Sequence, residues 1–178
     1  NSQPSSGGIN YIRNSIKVVV DAYNGDVTFY QMDPNDALAN TWGQVFPGLF
    51  TPGTQIPGDI QAHLRYPEDL FSTQAATLSL YHMTDPQVFY NKEDVWEIAT
   101  ETRAGEATRV EPYYLVMALP GTEKEEFVLL QPFTPRSKQN MISWMAARMD
   151  GDKYGQVVVI NFPKDKLVFG PAQVEARI

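Results

Sequence analysis

The chain has 178 residues, of which 43% are hydrophobic and 20% charged, with a net charge of −7 at neutral pH. This length fits one domain, and the hydrophobic content is high enough to exclude a disordered chain. We expect no nucleic-acid partner, because the sequence has no run of Lys and Arg that could neutralise phosphates.

The cysteine count and the hydropathy profile narrow the class of protein further. The chain has no cysteine, which excludes disulfides, thiol catalysis, zinc–thiolate sites and iron–sulfur clusters. No segment approaches the roughly 18 consecutive apolar residues that span a bilayer. The first residue is not Met and neither end carries a targeting signal, so we expect a piece of a longer protein.

The first half of the chain predicts a hairpin followed by helices. Residues 1–8 are rich in Ser, Gly and Pro and predict a flexible lead-in, after which residues 9–178 predict a single domain. Apolar residues over 16–22 and 27–32 flank Asn24-Gly25, which is typical of a type I′ hairpin turn. Helices are predicted over 33–46, starting at Asp33-Pro34, over 57–64, and from Pro67 to His82.

The second half predicts mostly strands. Strands are expected over 95–98, 112–119, 126–133 and 156–162. An exposed loop is expected over 103–109, and a helix is expected to follow Thr134-Pro135, with Met141, Met145 and Met149 on one side. The expected class is α+β, a mostly antiparallel sheet with packed helices.

The histidines are the first candidates for chemistry. His82 and Asp85 are three residues apart at a helix end, and an Asp can orient an imidazole for general-base catalysis. The alternative is structural: His82 lies on the apolar side of its helix, and Asp85 is a cap ahead of Pro86, where a short turn is expected.

Three further side chains are candidates for ligand binding. Arg65 and Arg136 lie beside predicted helix starts, where a helix N-terminus can hold an anion, and His63 is the second histidine. A salt-bridged or solvent-facing Arg is the alternative. His63 and His82 lack metal-ligand spacing, so we expect neither a metal site nor a cofactor.

Long strings of the sequence resemble a known family. The matching strings cover residues 9–23, 63–71, 81–91, 131–136, 140–148 and 168–178. The chain is similar over these segments to uncharacterised protein family 0182, a family of bacterial multi-pass membrane proteins. In that family several membrane helices precede a large soluble region, and this chain resembles part of that region.

The resemblance implies a membrane-anchored parent protein with this domain outside the cytoplasm. It supplies neither an activity nor catalytic residues. Three hypotheses stay open: a binding or structural module that contacts the remainder of its own chain or other proteins, a hydrolase-like enzyme using His82 and Asp85 or nearby carboxylates, and a sensing or gating domain of a transport-like membrane protein.

Overall fold

The computed structural model describes residues 11–103 and 105–177, with Arg103 as backbone only. The predicted lead-in over residues 1–8 lies outside this part of the chain. Internal contacts form two compact units, Asn1–Leu64 and Arg65–Ile178, which we call unit 1 and unit 2. A single domain over residues 9–178 therefore stays a prediction.

Unit 1 contains a three-stranded sheet and two helices. Its elements are β1 (Ile16–Val20), β2 (Val27–Gln31), α1 (Ala37–Val45), β3 (Phe50–Pro52), a 3-10 turn (Gly53–Gln55) and α2 (Gly58–Gln61). β2 lies at the centre of the sheet, antiparallel to β1 and parallel to β3.

The predicted hairpin is confirmed, but its turn is longer than predicted. The last strand pair is Val20 with Val27, and the Asp21 amide donates to the Asp26 carbonyl at 2.8 Å. A type I′ turn needs positive φ at both central residues, whereas here only Gly25 has one, at +80°. The Asn24 side chain instead accepts from the Asp26 amide at 2.9 Å, which stabilises a wider turn.

The start of α1 also differs from the prediction. The helix begins at Ala37 with Asp36 as its N-cap, and an Asp36 carboxylate oxygen accepts from the Ala39 amide at 2.9 Å. Asp33 closes a separate local turn by accepting from the Asn35 amide at 2.9 Å. Two Asp residues three positions apart both suit capping, and only the second is followed by helical backbone.

Unit 2 is built on a five-stranded antiparallel sheet. Its elements are α3 (Glu68–Tyr81), α4 (Pro86–Asn91), β4 (Trp96–Ile98), β5 (Thr100–Arg103), β6 (Glu106–Arg109), β7 (Tyr113–Ala118), β8 (Glu125–Pro135), β9 (Asn140–Met141), β10 (Ser143–Arg148), a 3-10 turn (Gly151–Lys153), β11 (Val157–Asn161), β12 (Val168–Phe169) and α5 (Pro171–Glu175). The sheet order is β11-β10-β8-β4, with β7 also paired to β8, while β5–β6 and β9–β12 form two small ladders.

The core of unit 2 lies between α3 and one face of this sheet. Phe71 and Ala75 on α3 are fully buried against a cluster that includes Leu129, Phe133 and Met145. This is the apolar side of the helix that the sequence predicts. Truncating a buried Phe to Ala typically costs about 3–5 kcal/mol, so this contact is a major part of the stability of unit 2.

Two predicted elements of unit 2 are wrong. The helix expected after Thr134-Pro135 is absent: those residues end β8, and residues 143–148 form β10, which pairs with both β8 and β11. A central strand buried on both faces carries apolar residues at most positions, which imitates helical spacing. The loop expected over 103–109 belongs largely to the β5–β6 hairpin.

The α+β class is confirmed. Helices and strands are both present, and among the described strands only the β2–β3 pair is parallel.

Candidate functional site

His82 is held at the end of α3 by a ring stack and a hydrogen bond. Its ring stacks on Trp96, with centroids 3.7 Å apart and planes 19° apart. Nδ1 donates to the Leu78 carbonyl at 2.9 Å, because a carbonyl can only accept. Nε2 is buried and has no hydrogen-bond partner in the described chain, so no proton donor or acceptor reaches it.

Asp85 is occupied by helix capping. One of its carboxylate oxygens accepts from the amides of Gln87 at 2.8 Å and Val88 at 3.0 Å, which starts α4. The hydrogen bonds of His82 and Asp85 thus go to different partners. General-base catalysis by this pair stays a prediction, and the geometry gives it no hydrogen bond to act through.

The two histidines lie in different units. His63, in unit 1, is exposed, and its Nδ1 donates to the Asp59 carbonyl at 2.7 Å. Across residues 11–103 and 105–177, no three His, Asp or Glu side chains come together as a metal-binding group.

Arg65 belongs to a cluster of aromatic side chains that anchors the chain before α3. Its guanidinium lies 4.4 Å from the centre of the Phe127 ring, and its carbonyl accepts from the Tyr154 hydroxyl at 3.1 Å. Tyr114 stacks on Phe127 and donates to the Tyr66 carbonyl. Burial raises the pKa of the Tyr66 and Tyr114 phenols, so both remain protonated donors at neutral pH.

Arg136 lies on an exposed link instead of at a helix start. Its Nε is 3.7 Å from a Glu97 carboxylate oxygen, and both side chains are about half exposed. The helix N-terminus on which the predicted anion site depended does not exist, because β8 continues through Pro135. Arg136 is therefore placed in a surface ion pair, which is typically worth less than about 1 kcal/mol.

In unit 1, the α1 helix carries its large apolar side chains on the outside. Its inner side is made of small residues: Ala39 is buried, and a Cβ at Gly43 would meet the Phe50 ring at 3.4 Å. Four large side chains are each half exposed or more, and we call them the α1 stripe: Leu38, Trp42, Val45 and Phe46. Their spacing of four, three and one residues places them on one side of the helix.

The chain segment that carries the α1 stripe is uncharged, although Arg13 and Asp36 line a pocket beside Leu38 and Trp42. Residues 37–58 contain no Asp, Glu, Lys or Arg, although one residue in five of the whole chain is charged. Trp42 and Phe46 stack with their ring planes 5° apart, so the stripe presents a flat aromatic surface. Exposed apolar surfaces of this kind mark interaction sites in soluble proteins.

In unit 2, an apolar groove lies between α3 and the edge of the sheet. It has a volume of about 350 Å³ and is lined by Thr73, Gln74, Thr77, Leu78, Tyr81, Met145, Val157 and Val159. None of these residues is charged. The Thr73 and Thr77 hydroxyls donate to helix carbonyls at 2.8 Å, so these two polar groups are already satisfied within α3.

The strand beside this groove is an edge strand. β11 pairs with β10 and with no other strand in the described chain. It reads Val-Val-Val-Ile-Asn and contains neither Pro nor Lys, the residues that natural proteins use to protect edges. Val157 and Val159 are 37% and 42% exposed on the same face as α3.

The sequence predicts β11 and the helix over 33–46. It predicts neither the exposure of the α1 stripe nor the free edge of β11. The spacing of the α1 stripe is visible in the sequence, yet such a stripe normally faces the core. The uncharged segment 37–58 was the available signal. No sequence signal marks β11 as an edge strand, because local sequence does not determine the order of strands in a sheet.

Comparison with known proteins identifies the family. The model of the Uncharacterised protein family (UPF0182) matches residues 1–178. The chain belongs to this family. It is 56% identical to a UPF0182 protein of Microcystis aeruginosa, over 99% of this chain and 18% of the relative. It is 54% identical to a UPF0182 protein of Methanospirillum hungatei, over 98% of this chain and 19% of the relative. It is 55% identical to one of Pelotomaculum thermopropionicum, over 99% of this chain and 19% of the relative.

The chain therefore spans about a fifth of the length of the UPF0182 relatives it matches. It is a fragment of a larger protein of a family whose function is uncharacterised. No solved structure matches it. Of the described helices, none is long and apolar enough to cross a membrane.

Proposed function

We propose that this chain is a binding or structural module that attaches to the remainder of its own, longer UPF0182 protein. The α1 stripe carries the proposal, because a helix that buries Ala39 and exposes Trp42 is oriented for a partner and not for solvent. Burial of each large apolar side chain is worth about 1.5–3 kcal/mol, so covering the stripe would supply several kcal/mol.

The length of the relatives favours the same protein as the partner. More than four fifths of each of these relatives lies outside the matched region. An uncharged stripe fits an apolar surface, and a segment of the same polypeptide is present at a high effective concentration, which strengthens binding without new contacts. We also propose, from the family resemblance, that the parent is membrane-anchored and that this module lies outside the cytoplasm.

Cysteine labelling of the full-length protein tests this proposal. This region has no native cysteine, and Val45→Cys places a thiol of similar size in the α1 stripe. Tyr23→Cys is the matched control, because Tyr23 is fully exposed at the tip of the β1–β2 hairpin. In a background without other cysteines, we expect maleimide to label Tyr23→Cys at least tenfold faster than Val45→Cys, and both equally after denaturation.

Equal labelling of the two native variants would contradict the proposal. Labelling of Val45→Cys by a maleimide that partitions into lipid, but not by a soluble one, would also contradict it, because lipid would then cover the stripe. The same Tyr23→Cys variant tests the compartment: a membrane-impermeant maleimide should label it on intact cells, and labelling only after lysis would overturn the extracytoplasmic placement.

A further inference from the structure

We infer that β11 accepts an additional β-strand, an extended uncharged segment from elsewhere in the same protein, whose alternate apolar side chains enter the groove beside α3. The inference concerns a different surface from the α1 stripe. It rests on the proposed function in one respect, that the partner belongs to the same longer chain.

The backbone of β11 presents hydrogen-bonding groups on its free side. The Arg148 amide donates to the Gln156 carbonyl, and the Phe162 amide donates to the Ile142 carbonyl, both at 2.9 Å. In an antiparallel ladder such bonds recur at every second residue, so Val158 and Ile160 also face β10. The amides and carbonyls of Val157, Val159 and Asn161 therefore point away from the sheet.

Those outward groups form no other hydrogen bond in the part of the chain that the structure describes. An extended segment laid along β11 would satisfy them, which is the general mode of recognition called strand addition. The exposed valines strengthen the argument, because an uninterrupted apolar edge is otherwise an aggregation site.

The groove defines the side chains that the added strand should carry. Every second residue of a strand points to the same face, so those on the α3 side would lie beside Val157 and Val159, with Met145 of β10 one strand further in. The lining has no charge in a chain whose net charge is −7, which selects uncharged, apolar residues at these positions. We therefore expect β-branched or aromatic residues at alternate positions of the bound segment.

The source of the strand follows from size. β11 offers five residues of edge, which is a short interface for a separate protein, whereas a segment of the same polypeptide binds without the cost of association. The unmatched four fifths of the UPF0182 relatives provide the length for such a segment.

Site-specific photo-crosslinking in the full-length protein tests the inference. A benzophenone amino acid at position 161 places the probe on the free edge, and the same residue at the exposed position 165 is the control. We expect position 161 to form an intramolecular crosslink to one extended segment outside the matched region, identified by mass spectrometry, with at least fivefold higher yield than position 165.

A backbone variant tests whether strand pairing holds that segment. Val159→Pro removes an outward amide that β10 does not use, and Pro is tolerated at a sheet edge. We expect it to reduce the crosslink at position 161 at least fivefold, while Val159→Thr retains it. Slow amide exchange in β8 and β10 in both variants shows that the sheet is still folded.

Other crosslinks would overturn the inference. A crosslink to β11 of a second copy, to lipid or to another protein identifies a different occupant, and no crosslink identifies an open edge. These outcomes can be told apart from failure of the proposed function. If Val45→Cys is protected from maleimide but position 161 crosslinks to another molecule, only the strand inference is overturned. If Val45→Cys reacts freely but position 161 gives the expected intramolecular crosslink, only the role of the α1 stripe is overturned.

Discussion

Arg148 and Glu126 form a bidentate salt bridge on the five-stranded sheet of unit 2. The Arg148 Nε and Nη2 atoms donate to the two carboxylate oxygens of Glu126, each at 2.6 Å. The side chains are only 11% and 9% exposed. β8 carries the acid and β10 the base, so the pair joins two strands of the main ladder.

Removing one member of this pair should be more harmful than removing both. Glu126→Met leaves a nearly buried guanidinium without its partner, and we expect the free energy of unfolding of unit 2 to fall by about 3–5 kcal/mol. The double variant Glu126→Met, Arg148→Met buries no charge and should recover most of that loss. Urea unfolding of the three proteins provides the measurement, and a double variant less stable than Glu126→Met would contradict the expectation.

The stability of unit 1 should depend on the ionisation of Asp36. Hydrogen bonds from the Ala39 amide, then from the Ser15 hydroxyl, hold the pKa of this carboxyl below its usual value. A lowered folded-state pKa contributes stability that is present above the unfolded pKa of about 3.9 and is lost as pH falls through the folded value. We therefore expect the urea concentration at the unfolding midpoint of unit 1 to decrease as the pH is lowered below about 4.

Asp36→Asn should lower that midpoint at pH 7 and make it less sensitive to acid, since Asn does not ionise. Asp59→Asn is the control: its side chain forms no hydrogen bond in the described chain, so the acid dependence should persist. A wild-type acid dependence retained in Asp36→Asn would show that another group is responsible.

His82 and Asp85 should behave as independent structural residues. Loss of the stack on Trp96 in His82→Ala should cost about 1–2 kcal/mol, and loss of the α4 cap in Asp85→Ala about 1 kcal/mol. Since their hydrogen bonds go to different partners, the loss of unfolding free energy in the double variant should equal the sum of the two single losses to within about 0.5 kcal/mol. A coupling energy above about 0.5 kcal/mol would show that the two side chains interact and would contradict their independence.

Gly170 should not tolerate a side chain. Its amide donates to Gln173 Oε1 at 3.1 Å, and a Cβ there would collide with the Gln139 carbonyl, which is backbone and cannot move aside. We expect Gly170→Ala to destabilise unit 2 by about 1–3 kcal/mol in thermal or urea unfolding. Gly58→Ala, where a Cβ meets nothing within 4 Å, should be neutral or slightly stabilising; similar losses in both would refute the steric explanation.

Local patterns succeeded where a short segment decides its own structure. Neighbouring residues determine the apolar side of α3, the β1–β2 hairpin and the cap at Asp85. All three are where the sequence predicts them. The prediction of a helix after Thr134 was wrong, because its apolar residues fit both helical spacing and a strand that is buried on both faces. Pairing with β8 and β11, which lie elsewhere in the sequence, selects the strand.

The sequence by itself determined the α+β class, the lack of cysteine chemistry and the family, because composition and long matched segments carry that information directly. Only the tertiary structure decided which apolar residues remain outside. Trp42 is exposed because Ala39 and Gly43 form the inner side of α1, and Val159 is exposed because β11 comes last in its sheet. Both depend on which elements pack side by side, and that is a property of the folded chain and not of any one segment.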